Sequence, residues 1–333
     1  MAEAVCETGT KRSSVQEGGI CASKDGCRNA QNSCFFAYLD ILGFKDIVEQ
    51  SSFDQLKSIV TTFISESVKA IDASRCIKVR DPKTNVERVD SRIKLVPGIK
   101  ARIVSDSIYI WTENDNRLKQ FDCLLQAVNA MLACGFEQGL PLRGVVTFGE
   151  TFLDEVKVPI DIPKDLKDVF SGNGSVVYGK ALVEAHKLEG QMEWSGAILT
   201  PRAWEAVVRE FEKGDRPGAG TVMLAENVRR AEDLFNHYPY LLWYDVPFKK
   251  GKQKAIVYNW NYKTSHTAMS EEKIYKAFVE RGVTDDATVA LKRRNTLEFY
   301  ERIKLFAKPC NKESVEVMPV PDSDYASRDL LNN

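Results

Sequence analysis

Cys34-Phe-Phe-Ala-Tyr-Leu-Asp40-Ile-Leu-Gly-Phe44 is a short apolar run that ends on an acid and then meets a glycine. Its length and composition predict a buried strand, with Asp40 at its exit and a turn into a helix after it. On the far side, Ser52-Phe-Asp-Gln55 has the form of a capping box, a hydroxyl followed three residues later by an amide. Leu56, Ile59, Val60, Phe63, Ile64, Val68 and Ile71 then recur at helical spacing, which predicts a helix with one buried stripe. Residues 74–100 are polar and patternless and predict a long connection. Beyond them, two β-rich arms in Ala101-Arg-Ile-Val-Ser-Asp106-Ser-Ile-Tyr-Ile-Trp111 flank Ser105-Asp106-Ser107, a hairpin with an acid near its tip.

A second amphipathic helix follows on Leu118, Phe121, Leu125, Val128 and Leu132, with Gly135 as its expected stop. Leu142-Arg-Gly-Val-Val-Thr-Phe-Gly149 predicts another strand. The order β-α-β-β-α-β, extended by further helices and strands, predicts an α+β fold of the ferredoxin-like kind. Residues 151–175 read as an insertion, and Tyr178-Gly-Lys-Ala-Leu-Val-Glu-Ala-His-Lys-Leu-Glu189 as a helix opened by a glycine. Thr200-Pro201 is an N-cap with proline at the first helical position. Strands are expected over 240–246 and 255–260, and helix over 270–306. Four of the five tryptophans, Trp194, Trp204, Trp243 and Trp260, are expected in the core or at a subunit seam. We divide the chain into a polar leader without fixed structure (1–33), a main domain (34–265) and a C-terminal helical extension with its tail (266–333).

The bulk numbers exclude several function classes. Lys plus Arg is 46 and Asp plus Glu is 47, a formal charge of -1, so no bulk nucleic-acid or membrane binding is expected. No apolar stretch reaches the roughly 18 residues of a membrane helix, and the polar start lacks an export signal. Eight cysteines without CxxC pairs read as reduced thiols. Three histidines, dispersed, do not suggest a His-rich metal site. A cytoplasmic protein is expected.

Taken one at a time, Asp40 and Asp106 read as ordinary turn acids. In the expected topology the first strand and the hairpin are neighbours, so the two carboxylates converge. Paired carboxylates with a backbone carbonyl suit hard divalent cations that also hold phosphate oxygens, and two such ions suit phosphoryl transfer. The helix that opens at Phe44 offers free amides to a polyphosphate.

Four segments carry a resemblance. Phe36-Ala-Tyr-Leu-Asp40-Ile-Leu-Gly-Phe44 resembles the first metal motif of class III adenylyl and guanylyl cyclases, and Ile103-Val-Ser-Asp106-Ser-Ile-Tyr resembles the second. The strand 142–149 and the helix after Gly179 resemble the next strand and the transition-state helix, in the same order. The closer resemblance is to the pyrimidine nucleotide cyclases of the bacterial Pycsar antiphage system, which share Asp-Ile-Leu-Gly-Phe and Ser-Asp-Ser. It implies conversion of UTP, or alternatively CTP, into a 3′,5′-cyclic nucleotide and diphosphate. Two ions, Mn2+ or Mg2+, would be held by Asp40, Asp106 and the Ile41 carbonyl. It further implies a head-to-tail homodimer and a separate effector protein that binds the cyclic product.

Aligned on Gly179, the family's transition-state Asn and Arg positions hold Val183 and Lys187. Lys187 can neutralise a phosphate, though without the arginine fork. The base-reading positions hold Arg102 and Val176, with Tyr178 nearby. Arg offers only donors, which suits the O2 and O4 of uracil. The alternative to a cyclase is a module of the same fold that binds nucleotide or a partner without turnover.

Overall fold

A computed structural model of the chain describes residues 33–75, 78–80, 87–89, 99–112, 117–156, 174–214, 238, 240–261, 269–279, 286–304 and 330. The apolar run that opened the sequence reading is β1 (Ser33–Ile41), buried almost throughout. It lies fifth from one end and third from the other in a sheet of seven strands. The hairpin arms β4 (Ile99–Val104) and β5 (Ser107–Thr112) pair with each other, and β5 pairs antiparallel with β1. On the other side of β1 lies β6 (Leu142–Glu150), also antiparallel. The order β6-β1-β5-β4 is that of the ferredoxin-like split βαβ plan. Three strands extend it: β9 (Gly196–Leu199), parallel to β6, then β11 (Gly251–Tyr258) and β10 (Leu241–Phe248). Two small hairpins stand apart, β2 (Lys78–Arg80) with β3 (Glu87–Val89) and β7 (Phe152–Val156) with β8 (Gly174–Tyr178).

Both faces of β1 are covered, which is why its sequence is apolar at successive positions and does not alternate. Phe35 meets Phe121 of α3 (Arg117–Glu137) at 4.4 Å between ring centroids. Tyr38, on the opposite face by strand alternation, meets His186 of α4 (Lys180–Glu189) at 5.6 Å. The covering helices begin where their caps lie. A short α1 (Phe44–Gln50) follows β1, and α2 (Phe53–Arg75) opens on the expected capping box. There the Ser52 amide donates to Gln55 Oε1 at 2.9 Å and the Gln55 amide to Ser52 Oγ at 3.3 Å. Thr200 caps α5 (Pro201–Glu212), accepting from the Ala203 amide at 3.2 Å.

Some expectations needed correction. Gly135 does not end α3, which continues to Glu137. The stop is Gly139, whose φ of 68° completes a left-handed cap while the Leu140 amide donates back to the Gly135 carbonyl at 2.7 Å. A Cβ at Gly135 would stand 2.5 Å from the Leu140 oxygen, so this glycine serves close approach. Tyr178 ends a strand, and the helix begins at Lys180. β9 was not anticipated from sequence. β10 and β11 reach further into the expected turn, leaving only Lys249-Lys250 between Phe248 and Gly251.

The C-terminal helices α6 (Glu271–Val279) and α7 (Ala287–Ile303) join the core. Phe299 packs edge-on against Trp194 at 4.6 Å, and Tyr300 stacks on Trp260 at 5.9 Å. Trp194, Trp204, Trp243 and Trp260 are buried, as expected for core residues. The expected leader lies, apart from Ser33, outside the described residues. Among the described residues no helix is long and apolar enough to cross a membrane.

Candidate functional site

Asp40 stands one residue before the end of β1, where the sheet gives way to the Gly43 corner. Its neighbours across the sheet are Ser107 on one side and Arg143 on the other. Only Ser105 and Asp106 separate β4 from β5, and Ser105 takes a positive φ of 57°. A positive φ at the first turn position and not the second is the pattern of the II′ hairpin, which suits the right-handed twist of the arms. Asp106 is thereby placed at the tip beside Asp40, and the Ile41 amide donates to the Asp106 carbonyl at 3.0 Å. The two residues therefore adjoin, tied by a backbone hydrogen bond.

The surroundings of Asp40 are unusual for an exposed turn. Arg143 Nη2 lies 3.6 Å from Asp40 Oδ2, the Arg143 Nε contacts the Glu189 carboxylate, and its Nη1 donates to the Met192 carbonyl at 3.1 Å. The Asp40 and Glu189 carboxyl groups stand close enough to interact. Burial, then the negative charge of Glu189, raise Asp40 to about 7, with Asp106 adding to the rise and Arg143 opposing it. Burial also raises Glu189 against the pull of Arg143. Tyr38 donates to or accepts from Ser107 Oγ at 3.2 Å and is pushed up to about 12 by burial, with smaller contributions from the two acids. Lys292 of α7, lowered by burial and by Arg143, borders the same cluster.

Among the described residues no three His, Cys, Asp or Glu side chains stand close enough to hold a metal alone. Asp40 and Asp106 nevertheless fit a hard divalent cation in their chemistry. Both are oxygen donors, they adjoin at one end of the sheet, and Asp40 is held up first by burial and then by the charge of Glu189, which a bound cation would offset.

The structure brings the sequence-chosen residues together only in part. Asp40, Asp106 and Ile41 are adjacent, the Ile41 side chain being buried. Arg102 pairs with Tyr109, which pairs with Tyr38, so all three share the sheet face of Asp40. Phe44 is partly buried and packs against the core. Val176 lies in β8 across from Asp154, and its side chain is outside the described set. Tyr178 and Val183 are exposed. Lys187 is exposed on α4 two residues before buried Glu189, on another side of that helix, so it is not aimed at Asp40 of its own chain.

Arg143, Glu189 and Lys292 were missed. A signal existed: Arg143 interrupts an apolar strand, and Glu189 falls four residues after Ala185 in the stripe of Ala181, Ala185 and Leu188 that faces the sheet.

No family model matches the chain, and no curated protein matches it. Solved structures similar to it include the adenylyl cyclase CyaB from P. aeruginosa, at 10% identity and a TM-score of 0.36, covering 68% of this chain and 92% of that one. The guanylate cyclase domain of RhGC from Catenaria anguillulae, in complex with GTP, is similar at 12% identity and 0.36, covering 68% and 96%. A bacterial light-regulated adenylyl cyclase is similar at 12% identity and 0.34, covering 52% and 78%. The α+β architecture of this chain rests on its own strand order and pairing.

Proposed function

We propose that the chain is a class III nucleotidyl cyclase that converts UTP to 3′,5′-cyclic UMP and diphosphate, as a messenger in antiphage defence read by a separate effector. The observation that carries this reading is the meeting of Asp40 and Asp106 at one end of the central strands of a βαββαβ core. Asp40, Asp106 and the Ile41 carbonyl would hold two ions, Mn2+ or Mg2+. When bound, these would acidify the ribose 3′-hydroxyl and neutralise the triphosphate. The 3′-oxygen attacks the α-phosphate in line, its proton leaves, and diphosphate departs. Arg102, on the same sheet face, donates to the uracil carbonyls. Lys187 and the edge around Tyr178 and Val176 complete the site from the second subunit of a homodimer.

CTP is the alternative substrate, because O2 and N3 of cytosine also accept from an arginine. A second reading, nucleotide binding without turnover, is favoured by Val183, an exposed apolar residue where the family carries Asn. The test is incubation of the purified chain with Mn2+ and each of the four nucleoside triphosphates, followed by product mass. Cyclic UMP as main product supports the proposal. Cyclic CMP would replace the substrate assignment, and unchanged nucleotides with measurable binding would establish the second reading.

A further inference from the structure

We infer that Arg143 and Glu189 are positioning residues for the Asp40 carboxylate, Glu189 holding the Arg143 guanidinium off Asp40 so that the Asp40 oxygens stay open to a divalent cation. This rests on the assignment of Asp40 to a cation made above. An arginine directly across the sheet from a metal-binding acid would ordinarily form a closed ion pair with it and compete with the ion. Here the guanidinium is divided among three partners. Its Nε contacts Glu189, its Nη1 is spent on the Met192 carbonyl at 3.1 Å, and its Nη2 remains 3.6 Å from Asp40. That last separation is longer than a good N–H···O hydrogen bond, so Glu189 is the principal partner and Asp40 a loose one.

The oxygens of the acid that adjoins Asp106 are thereby left open. Lys292 of α7 and the buried Glu193, which precedes β9, border this triad, and exposed Lys249 lies beyond them. The arrangement is also held mechanically. Asn295 Nδ2 donates to the Glu193 carbonyl at 2.6 Å, and the Ser195 amide donates to Thr296 Oγ1 at 2.8 Å. The segment that carries Glu189 and the Met192 carbonyl is therefore pinned by the C-terminal helix. A triad that served only the fold would change stability when altered, and would leave cation affinity where it was.

The experiment measures Mn2+ uptake by the full chain, with no nucleotide present, from the loss of the free-ion paramagnetic resonance signal. Glu189→Gln keeps the shape but removes the charge that holds Arg143, and we expect Mn2+ affinity to fall about tenfold or more. Adding Arg143→Met to Glu189→Gln removes the freed guanidinium and should recover most of the loss. In the Arg143→Met background Glu189 has no guanidinium to hold, so adding Glu189→Gln there should change Mn2+ affinity by no more than about twofold. This second comparison decides the matter if Glu189→Gln alone does not fold. Equal affinity of folded Glu189→Gln and wild type, or a loss of about tenfold on adding Glu189→Gln to Arg143→Met, would overturn the inference and leave the cyclase reading standing. Uptake by wild type no greater than by Asp40→Ala would overturn the assignment of Asp40 to a cation, and this inference with it.

Discussion

At the scale of single residues, Asp40 and Asp106 carry the proposed chemistry because a carboxylate lost from a paired site has no neighbour to replace it. Asp40→Ala and Asp106→Ala are each expected to abolish turnover while circular dichroism and melting remain those of a folded protein. Substantial product from either folded variant would refute the two-ion assignment. Arg102 stands two strands from Asp40 on the same face and offers donors only. In a competition of equal UTP and CTP, wild type should prefer UTP, about tenfold or more if cytosine's amine is left unpaired in the site. Arg102→Ala should lose that preference, and an unchanged product ratio would dismiss Arg102 as reader. The two acids were legible because each sits where an apolar pattern ends. Arg143 and Glu189 were not read, because a charge inside a strand or helix pattern has meaning only once its partner is known.

Among the elements, α3 shows how local signals mislead when a neighbour decides. Gly135 looked like a helix stop, and it is instead the point where the returning chain at Leu140 presses on the helix. Gly135→Ala should therefore destabilise the protein by about 1–3 kcal/mol, measured by chemical denaturation, although alanine is the better helix former. The adjacent Cys134 faces Ser67 of α2, and burial pushes its thiol up to about 11 from the ordinary 9.0. A raised folded value means the contribution is full below pH 9 and is lost as pH rises through about 11. Cys134→Ala should remove up to roughly 2–3 kcal/mol of that alkaline decline, seen as a shallower fall in stability between those limits. A slope unchanged by the substitution would contradict the assignment. The strand β9 escaped notice because four buried residues carry no period to recognise. The arms of the β4–β5 hairpin were plain, because alternation and a polar tip are local signals.

For the whole molecule, the proposed homodimer makes a test that no single chain can pass. An Asp106→Ala chain and a Lys187→Ala chain, each inactive alone, should regain about a quarter of wild-type activity per site when mixed at equal amounts, by random pairing of subunits and one intact site per heterodimer. No recovery in heterodimers shown to have formed would place Lys187 outside the shared site. The position of Lys187 on another side of α4 from Glu189 is what motivates the shared arrangement. Ile274, Phe278, Phe299 and Ile303 of α6 and α7 lie in the same buried cluster as β1. By itself the sequence determined the βαββαβ order of the core, the burial of β1, the caps at Ser52 and Thr200, and the two acids at strand exits. Those follow from neighbours within a few positions along the chain, where periodicity and turn chemistry act. Only the tertiary structure decided that Arg143 faces Asp40 across the sheet and that Glu189 returns over both. It also decided that α7, more than a hundred residues beyond Glu189 in chain order, locks them in place. Charge pairing acts through space over a few ångströms and has no period along the chain, so it becomes visible only when the strands are laid side by side.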